Sequence, residues 1–288
     1  MCQKLIKILL LISILSSGPP ALALSKITFL LSWNLKPYWD FVAGFRSQNL
    51  FKDETLVLKE ENFWLTDHLK KAEYIVAVGH RAFEEIAQLS PQAPIFVALV
   101  VAPELLPLKS NLNLRGGLYL RLPPEIFLPL LKRQLYEFFG RSFTIGIPFS
   151  SPENEIFVKR VIIQAEKQNL KIIPLDLRKG PLVLQKSWDQ IEVLYLIPDP
   201  FLESEEAIAN FLKKAVLNNK IVVGYNRFFL KKGALIAFII DYKEAGRKSA
   251  QILSSCLKEN TFCGWHPAPF KVKINKKLLN FYRSIFSH

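Results

Sequence analysis

The sequence predicts an α/β protein built as two lobes, each on a mainly parallel sheet. Short runs such as Tyr74-Ile-Val-Ala-Val78 and residues 95–101 are apolar throughout, so both faces of these strands must be buried. Segments with apolar residues at helical spacing separate them, the βα alternation that puts helices on both sides of a parallel sheet rather than building an antiparallel sandwich. The alternation pauses once, at residues 103–117, and then restarts, in a chain of 288 residues that is long enough for two domains.

In chain order, residues 26–32 read as a strand and 35–49 as a helix, followed by a weak strand at 56–58 and a helix at 63–71. The strand at 74–78 closes on Gly79. A helix at 81–89 ends at Ser90-Pro91, and Pro94 leads into the strand at 95–101. Pro103, Pro107, Asn111, Asn113 and Gly116-Gly117 then interrupt any period, and this stretch reads as the crossing between lobes. The second set opens with a helix at 124–139, terminated by Gly140, in which Pro129 sits in the first turn or kinks the helix. A strand at 143–147, a helix at 155–168, strands at 171–175 and 193–197, a helix at 203–217 and a strand at 221–224 continue it. A strand at 234–240, a helix at 243–257 and a last strand at 270–274 complete the pattern.

Half of the residues are hydrophobic, which excludes a disordered or fibrous chain. The net charge of +13 admits nucleic acid, anionic lipid or an acidic small ligand as a partner. The N-terminus narrows that choice. Lys4 and Lys7 precede an apolar run from Ile8 to Leu15, and Ala21-Leu22-Ala23 is a small-residue cleavage site, so residues 1–23 read as a secretory signal peptide. The run is too short to span a bilayer, and Pro19-Pro20 would break the longer helix that an uncleaved anchor needs. Cys2 lies at the wrong end for lipoprotein processing. Loss of Lys4 and Lys7 takes the charge from +13 to +11, still basic. An exported chain without a concentrated Arg/Lys helix is a poor nucleic-acid binder, so no nucleic-acid partner is expected.

Export also bears on Cys256 and Cys263, which in an oxidising compartment are expected to pair as a disulfide. Free thiols are the alternative. A metal site is the remaining one, but although His266 is close, no second His or carboxylate completes a four-ligand set. Enzymatic signatures are missing: the sequence has no Gly-x-Ser-x-Gly elbow, His-Glu-x-x-His, phosphate-binding loop or Cys-x-x-Cys. The chain is therefore read as a non-enzyme with no cofactor and no metal.

From Val193 onward the order of features resembles the substrate-binding proteins of ABC importers, in particular the family that includes tryptophan and tyrosine binders. The residues that carry the resemblance are Leu194-Tyr-Leu-Ile-Pro-Asp-Pro200, Ser204-Glu-Glu-Ala-Ile-Ala209, Gly233-Ala-Leu-Ile-Ala-Phe-Ile-Ile-Asp-Tyr242, Glu244-Ala-Gly-Arg-Lys-Ser-Ala-Gln-Ile-Leu253 and Pro269-Phe-Lys-Val-Lys-Ile-Asn275. His80-Arg81 stands where such proteins usually carry a small hydroxyl residue after Gly, and Ala102 where an acidic one is often found. The resemblance implies a type I periplasmic binding fold: two Rossmann-like lobes joined by a three-crossover hinge, closing on a ligand. It implies a first lobe of residues 24–119 with 238–267 and a second of 120–237 with 268–288. It also implies a monomeric extracytoplasmic protein that captures a small organic ligand, an amino acid being one class, and delivers it to an ABC permease of the inner membrane. A periplasmic sensory protein that reports its ligand to a membrane receptor is the alternative.

In open α/β sheets ligands bind beyond the carboxyl ends of the strands, which selects the candidate residues. Ser150 and Ser151 precede a helix and suit a carboxylate, or they simply form the helix-start turn. Trp33, Tyr38 and Trp39 follow the first strand and would sandwich a flat ligand, or pack within the lobe. His80 and Arg81 follow Gly79, where Arg81 would pair with a ligand acid or stay solvated. Asp199 would receive an ammonium group, or only shape an Asp-Pro turn. Asn226 and Arg227 follow the strand at 221–224 and are cleft or loop residues. Asp241 is a ligand contact, a hinge residue or a helix cap.

Overall fold

Two six-stranded sheets organise the computed structural model, which describes residues 25–59, 65–108, 110–180, 182–202 and 204–286. The secretory signal expected at 1–23, and His288, lie outside the described residues. The first lobe begins with β1 (Lys26–Leu31), α1 (Lys36–Arg46), β2 (Lys52–Val57), α2 (Leu65–Lys70), β3 (Tyr74–Val78), α3 (His80–Leu89), β4 (Ile95–Val100) and β5 (Leu114–Tyr119). The second lobe follows as α4 (Pro124–Phe139), β6 (Thr144–Phe149), α5 (Pro152–Glu166), β7 (Lys171–Asp176), α6 (Leu182–Ser187), β8 (Val193–Tyr195), α7 (Glu205–Leu217), β9 (Ile221–Gly224), α8 (Arg227–Lys232) and β10 (Ile236–Ile240). The chain then returns to the first lobe with α9 (Tyr242–Glu259) and β11 (Trp265–Pro267), and ends in the second with β12 (Phe270–Ile274) and α10 (Lys276–Phe286).

The strand orders are β2-β1-β3-β4-β5-β11 and β7-β6-β8-β9-β10-β12, the same doubly wound arrangement twice, with every pairing parallel except the closing β10–β12 pair. Alternate residues explain why the strands read as unbroken apolar runs. Ile27, Phe29 and Leu31 of β1 face one core with Val76 and Val78 of β3, while Leu30, Ile75 and Ala77 face the other. Val193 and Tyr195 of β8 are likewise divided from Leu194.

Leu120 and Arg121 still donate backbone hydrogen bonds to Val100 and Val101 (2.8 and 2.9 Å), and Leu120 packs on the first lobe, whereas Leu122 belongs to the second core. The first crossing is thus at Arg121–Leu122. This corrects the reading of 103–117 as the crossing, because that stretch ends in β5. The Gly116-Gly117 pair looks like a turn but lies in a strand, and a Cβ on Gly117 would overlap the ring of Trp265. The return crossing is Ile240–Asp241, so β10 is wholly in the second sheet and the boundary before Phe238 is corrected: Phe238 pairs with Val272 of β12. The last crossing follows Ala268, which buries in the first lobe, and Asp241 N–H donates to Pro269 O at 2.8 Å, holding the two later crossings side by side.

Further differences have local causes. The α5 helix starts at Pro152 because Ser151 is its N-cap, its hydroxyl accepting from Asn154 N–H. Pro129 lies inside α4 without ending it. The helices α6, α8 and α10 and the strand β11 were not expected. The Cys256–Cys263 disulfide is present and ties the end of α9 to the start of β11. Among the described residues no helix is long and apolar enough to cross a membrane.

Candidate ligand cleft

The sheet orders place the topological switch points beside β1 in the first lobe and β6 in the second, and the segments that follow β3 and β4 meet those that follow β6 and β8 between the lobes. A cavity of about 680 Å³ there is lined by His80, Val101 and Glu104 of the first lobe and Ser151, Asn154 and Asp199 of the second. A second cavity of about 750 Å³ opens between the N-terminal end of α1 (Lys36, Asp40) and Tyr225, Arg227, Asp241 and Lys273. A smaller one, about 210 Å³, adjoins the first at Glu104 and Arg121 and has aromatic walls from Tyr119, Phe157 and Trp265.

The candidate residues divide between these spaces. His80, Ser151 and Asp199 share the first cavity, and Asn226, Arg227 and Asp241 share the second. Trp33, Tyr38, Arg81 and Ser150 line neither. Trp33 is half exposed under the Arg81 guanidinium, 4.7 Å from ring to cation, and Arg81 Nη2 also donates to Lys59 O at 2.5 Å. Arg81 is therefore engaged within its own lobe. Tyr38 packs on the first core, and burial raises its phenol pKa. Trp39 Nε1 donates to Asn34 Oδ1 at 2.7 Å.

Ser150 and Ser151 do sit at a helix start, but that anion site already holds an anion. The Asp199 carboxylate accepts from Ser150 N–H through both oxygens at 3.0 and 2.9 Å, from the Ser150 hydroxyl, from Asn154 Nδ2 at 2.7 Å and from Phe201 N–H at 3.1 Å. Burial alone would raise this carboxyl, yet the Ser150 and Asn154 donors outweigh it and hold its pKa below the ordinary Asp value. The protein's own side chain takes the place expected for a ligand acid, and Asp199 has its lone pairs committed rather than turned to an ammonium group. In the first lobe the corresponding contact is Ser32 Oγ, which accepts from Ala82 N–H at 2.8 Å near the start of α3.

Asn226 caps α8, accepting from Phe228 and Phe229 N–H. Asp241 caps α9 through Glu244 N–H at 3.1 Å and pairs with Lys271 at 2.6 Å, the contact that chiefly lowers its pKa. His80 faces Glu84 one turn along α3 at 3.4 Å. Arg227 is exposed.

Sequence reasoning missed Arg121. It lies on the first crossing, only 6% exposed, with its guanidinium 4.8 Å over the Phe157 ring and Nη2 donating to Asn154 Oδ1 at 2.8 Å. Asn154 in turn donates to Asp199, so three residues, from a crossing, the first turn of α5 and the segment after β8, form one buried chain. Burial lowers the Arg121 pKa, and the charge persists. A lone cation inside the apolar stretch Leu118–Leu122 was the available signal. Among the described residues no group of three His, Cys, Asp or Glu side chains could hold a metal ion.

No protein-family model matches the chain, and no curated protein matches it. Solved structures do. A ligand-free, open substrate-binding protein with adhesive properties from Clostridium difficile is 17% identical, with a TM-score of 0.67 over 90% of this chain and 94% of that one. An ABC domain in complex with L-Trp from Streptococcus pneumonia is 15% identical, with a TM-score of 0.57 over 90% and 94%. A glucose-galactose binding protein from Geobacillus stearothermophilus is 13% identical, with a TM-score of 0.56 over 88% and 99%. At these identities the likeness is one of fold.

Proposed function

We propose, from the premise that this chain has the two-lobed fold of the type I periplasmic binding proteins, that it is an extracytoplasmic solute-binding protein which captures a small organic ligand between its lobes for an ABC importer. The observation that carries the reading is the cavity of about 680 Å³ to which the strand ends of both lobes contribute. A ligand that touches both walls favours the closed arrangement by its differential affinity, and closure is a signal a membrane permease can read. No bond needs to be made or broken, and the polar groups at the cleft are spent on helix caps and on one another rather than on a nucleophile and base.

The ligand class follows from size and lining: a molecule of amino-acid or monosaccharide dimensions, with an amino acid preferred because charged groups of both signs, Arg121, Glu104 and Glu153, stand at the cavity. The leader read at residues 1–23 would deliver the protein to the compartment where a permease partner waits.

A thermal-shift screen of the chain lacking residues 1–23 against amino acids, small carboxylates and monosaccharides tests the reading. A cleft ligand at 100 times its dissociation constant adds roughly 2.7 kcal/mol, a shift of several degrees. A flat response to the whole set would overturn it.

A further inference from the structure

Arg121 is unusual among the charged residues of the cleft because it is buried without being satisfied. Nη2 is bonded to Asn154, but Nε and Nη1 have no hydrogen-bond partner among the described residues, although the side chain is only 5% exposed. Buried guanidinium nitrogens are normally paired, and an unpaired pair of them inside a cleft calls for a partner that the chain does not supply. Arg121 lines both the large cavity and the aromatic one, and the group nearest Nη1 across the site is the Glu104 carboxylate at 3.6 Å. The same Glu104 oxygen is 3.8 Å from Arg160 Nη1 of α5, across the lobe boundary. Both distances are ion-pair range and neither is a hydrogen bond.

Glu104 is thus held loosely between two cations, 43% exposed, on a short turn that follows β4. The other nearby acid on the second lobe, Asp199, is consumed by Ser150, Asn154 and Phe201, and Glu153 borders the large cavity only. Two guanidinium groups thus flank one loosely held carboxylate, and neither is hydrogen-bonded to it. Tyr119, Phe157 and Trp265 beside it supply apolar walls.

We propose that Arg121 and Arg160 receive the carboxylate of the ligand, that Glu104 stands in for it in the empty cleft and swings out on binding, and that the apolar body of the ligand lies against Tyr119, Phe157 and Trp265. The inference rests on the solute-binding reading and narrows its ligand class to small carboxylates with an apolar or aromatic body. It moves the acid receptor away from the helix start at Ser150-Ser151, which Asp199 fills. Because Glu104 and Arg160 belong to different lobes, exchange of one carboxylate for the other couples binding to the contact between lobes.

Isothermal titration with matched probes tests it: L-tryptophan against L-tryptophanamide, L-leucine against L-leucinamide, and D-glucose as a neutral compound. The acid of at least one pair is expected to bind, with its amide weaker by tenfold or more. Glu104→Gln, at an exposed position, removes the competing carboxylate and should tighten binding of that acid at least threefold. Arg160→Gln, also exposed at 52%, should weaken it severalfold. Arg121→Gln should weaken it at least tenfold, and should that variant fail to fold, the two exposed variants decide. Equal binding of acid and amide, or an unchanged affinity in Glu104→Gln, overturns the inference. Binding of D-glucose without either acid also overturns it while leaving the solute-binding reading intact, and binding of no probe counts against both.

Discussion

The Asp199 carboxylate grips the backbone N–H of Ser150, 49 residues earlier in the chain, with its two oxygens at 3.0 and 2.9 Å. The contact joins the carboxyl ends of β8 and β6, so it sets the second-lobe wall of the cleft. Asp199→Asn keeps the shape but presents an NH2 group to donors that need an acceptor. The expected cost is about 2–4 kcal/mol, since several buried donors lose an ionised partner at once. The pH dependence carries the sign of a depressed carboxyl. The stabilisation is complete above the ordinary Asp value of about 3.9 and is lost as the pH falls through the lower folded-state value. Urea denaturation across an acid pH series should show a steeper decline for the wild type than for Asp199→Asn, and parallel curves would contradict the assignment.

The first lobe depends on a contact of a different kind. Gly44 of α1 lies against the backbone of Lys243, and Gly246 of α9 against the Phe41 carbonyl, so the two helices touch main chain to main chain. Alanine in place of glycine raises helix propensity by about 1 kcal/mol. At Gly246 the added Cβ would overlap backbone that cannot move aside, and overpacking of about 1–3 kcal/mol, or more, wins. Gly246→Ala is therefore expected to lower the denaturation midpoint of the first lobe, and a variant as stable as the wild type would show that the helices separate freely.

The Cys256–Cys263 bond closes a loop at a sequence separation of 7, and Cys256 is fully buried. In the chain-entropy account a loop this short contributes roughly 2–3 kcal/mol. Native protein treated with an alkylating reagent should gain no mass at either cysteine until reductant is added, and reduction should lower the melting temperature. Labelling of both thiols without reductant would remove the bond from the description.

The doubly wound class was legible because strands buried on both faces must be apolar at every position, as β3 and β4 are. The strand β5 was hidden by Gly116-Gly117, whose local signal is a turn; the reasons for glycine are the Gly264 carbonyl against Gly116 and the Trp265 ring against Gly117, nearly 150 residues later. The site was less legible still. Ser150-Ser151 was correctly placed at a helix start, but nothing local says that Asp199 will fill it once β6 and β8 lie side by side. Arg121 was missed for the same reason: its partners Asn154, Phe157 and Glu104 come from both lobes and meet only across the crossing. Propensity and pattern report on neighbours in sequence, whereas a cleft is made by residues that are neighbours only in space.

The terminal helix α10 gives the last prediction. Leu278, Leu279, Ile285 and Phe286 pack on the second-lobe core, and Tyr282, fully buried, donates from Oη to Lys220 O at 2.6 Å. Burial raises the Tyr282 pKa, so the hydroxyl stays protonated and donating through neutral and mildly alkaline pH. Tyr282→Phe removes this one bond while keeping the ring, and leaves a carbonyl short of a donor, a cost of about 1 kcal/mol. Deleting residues 276–288 uncovers a whole core face and should cost several times that, because each apolar side chain removed is worth roughly 1.5–3 kcal/mol. The two lobes have separate cores, so the loss should be local: hydrogen exchange should quicken in β6, β8 and β9 and remain unchanged in β1, β3 and β4. Equal acceleration in both lobes would mean that they unfold as one unit, and that the crossings at Arg121, Asp241 and Pro269 transmit more than the chain's path.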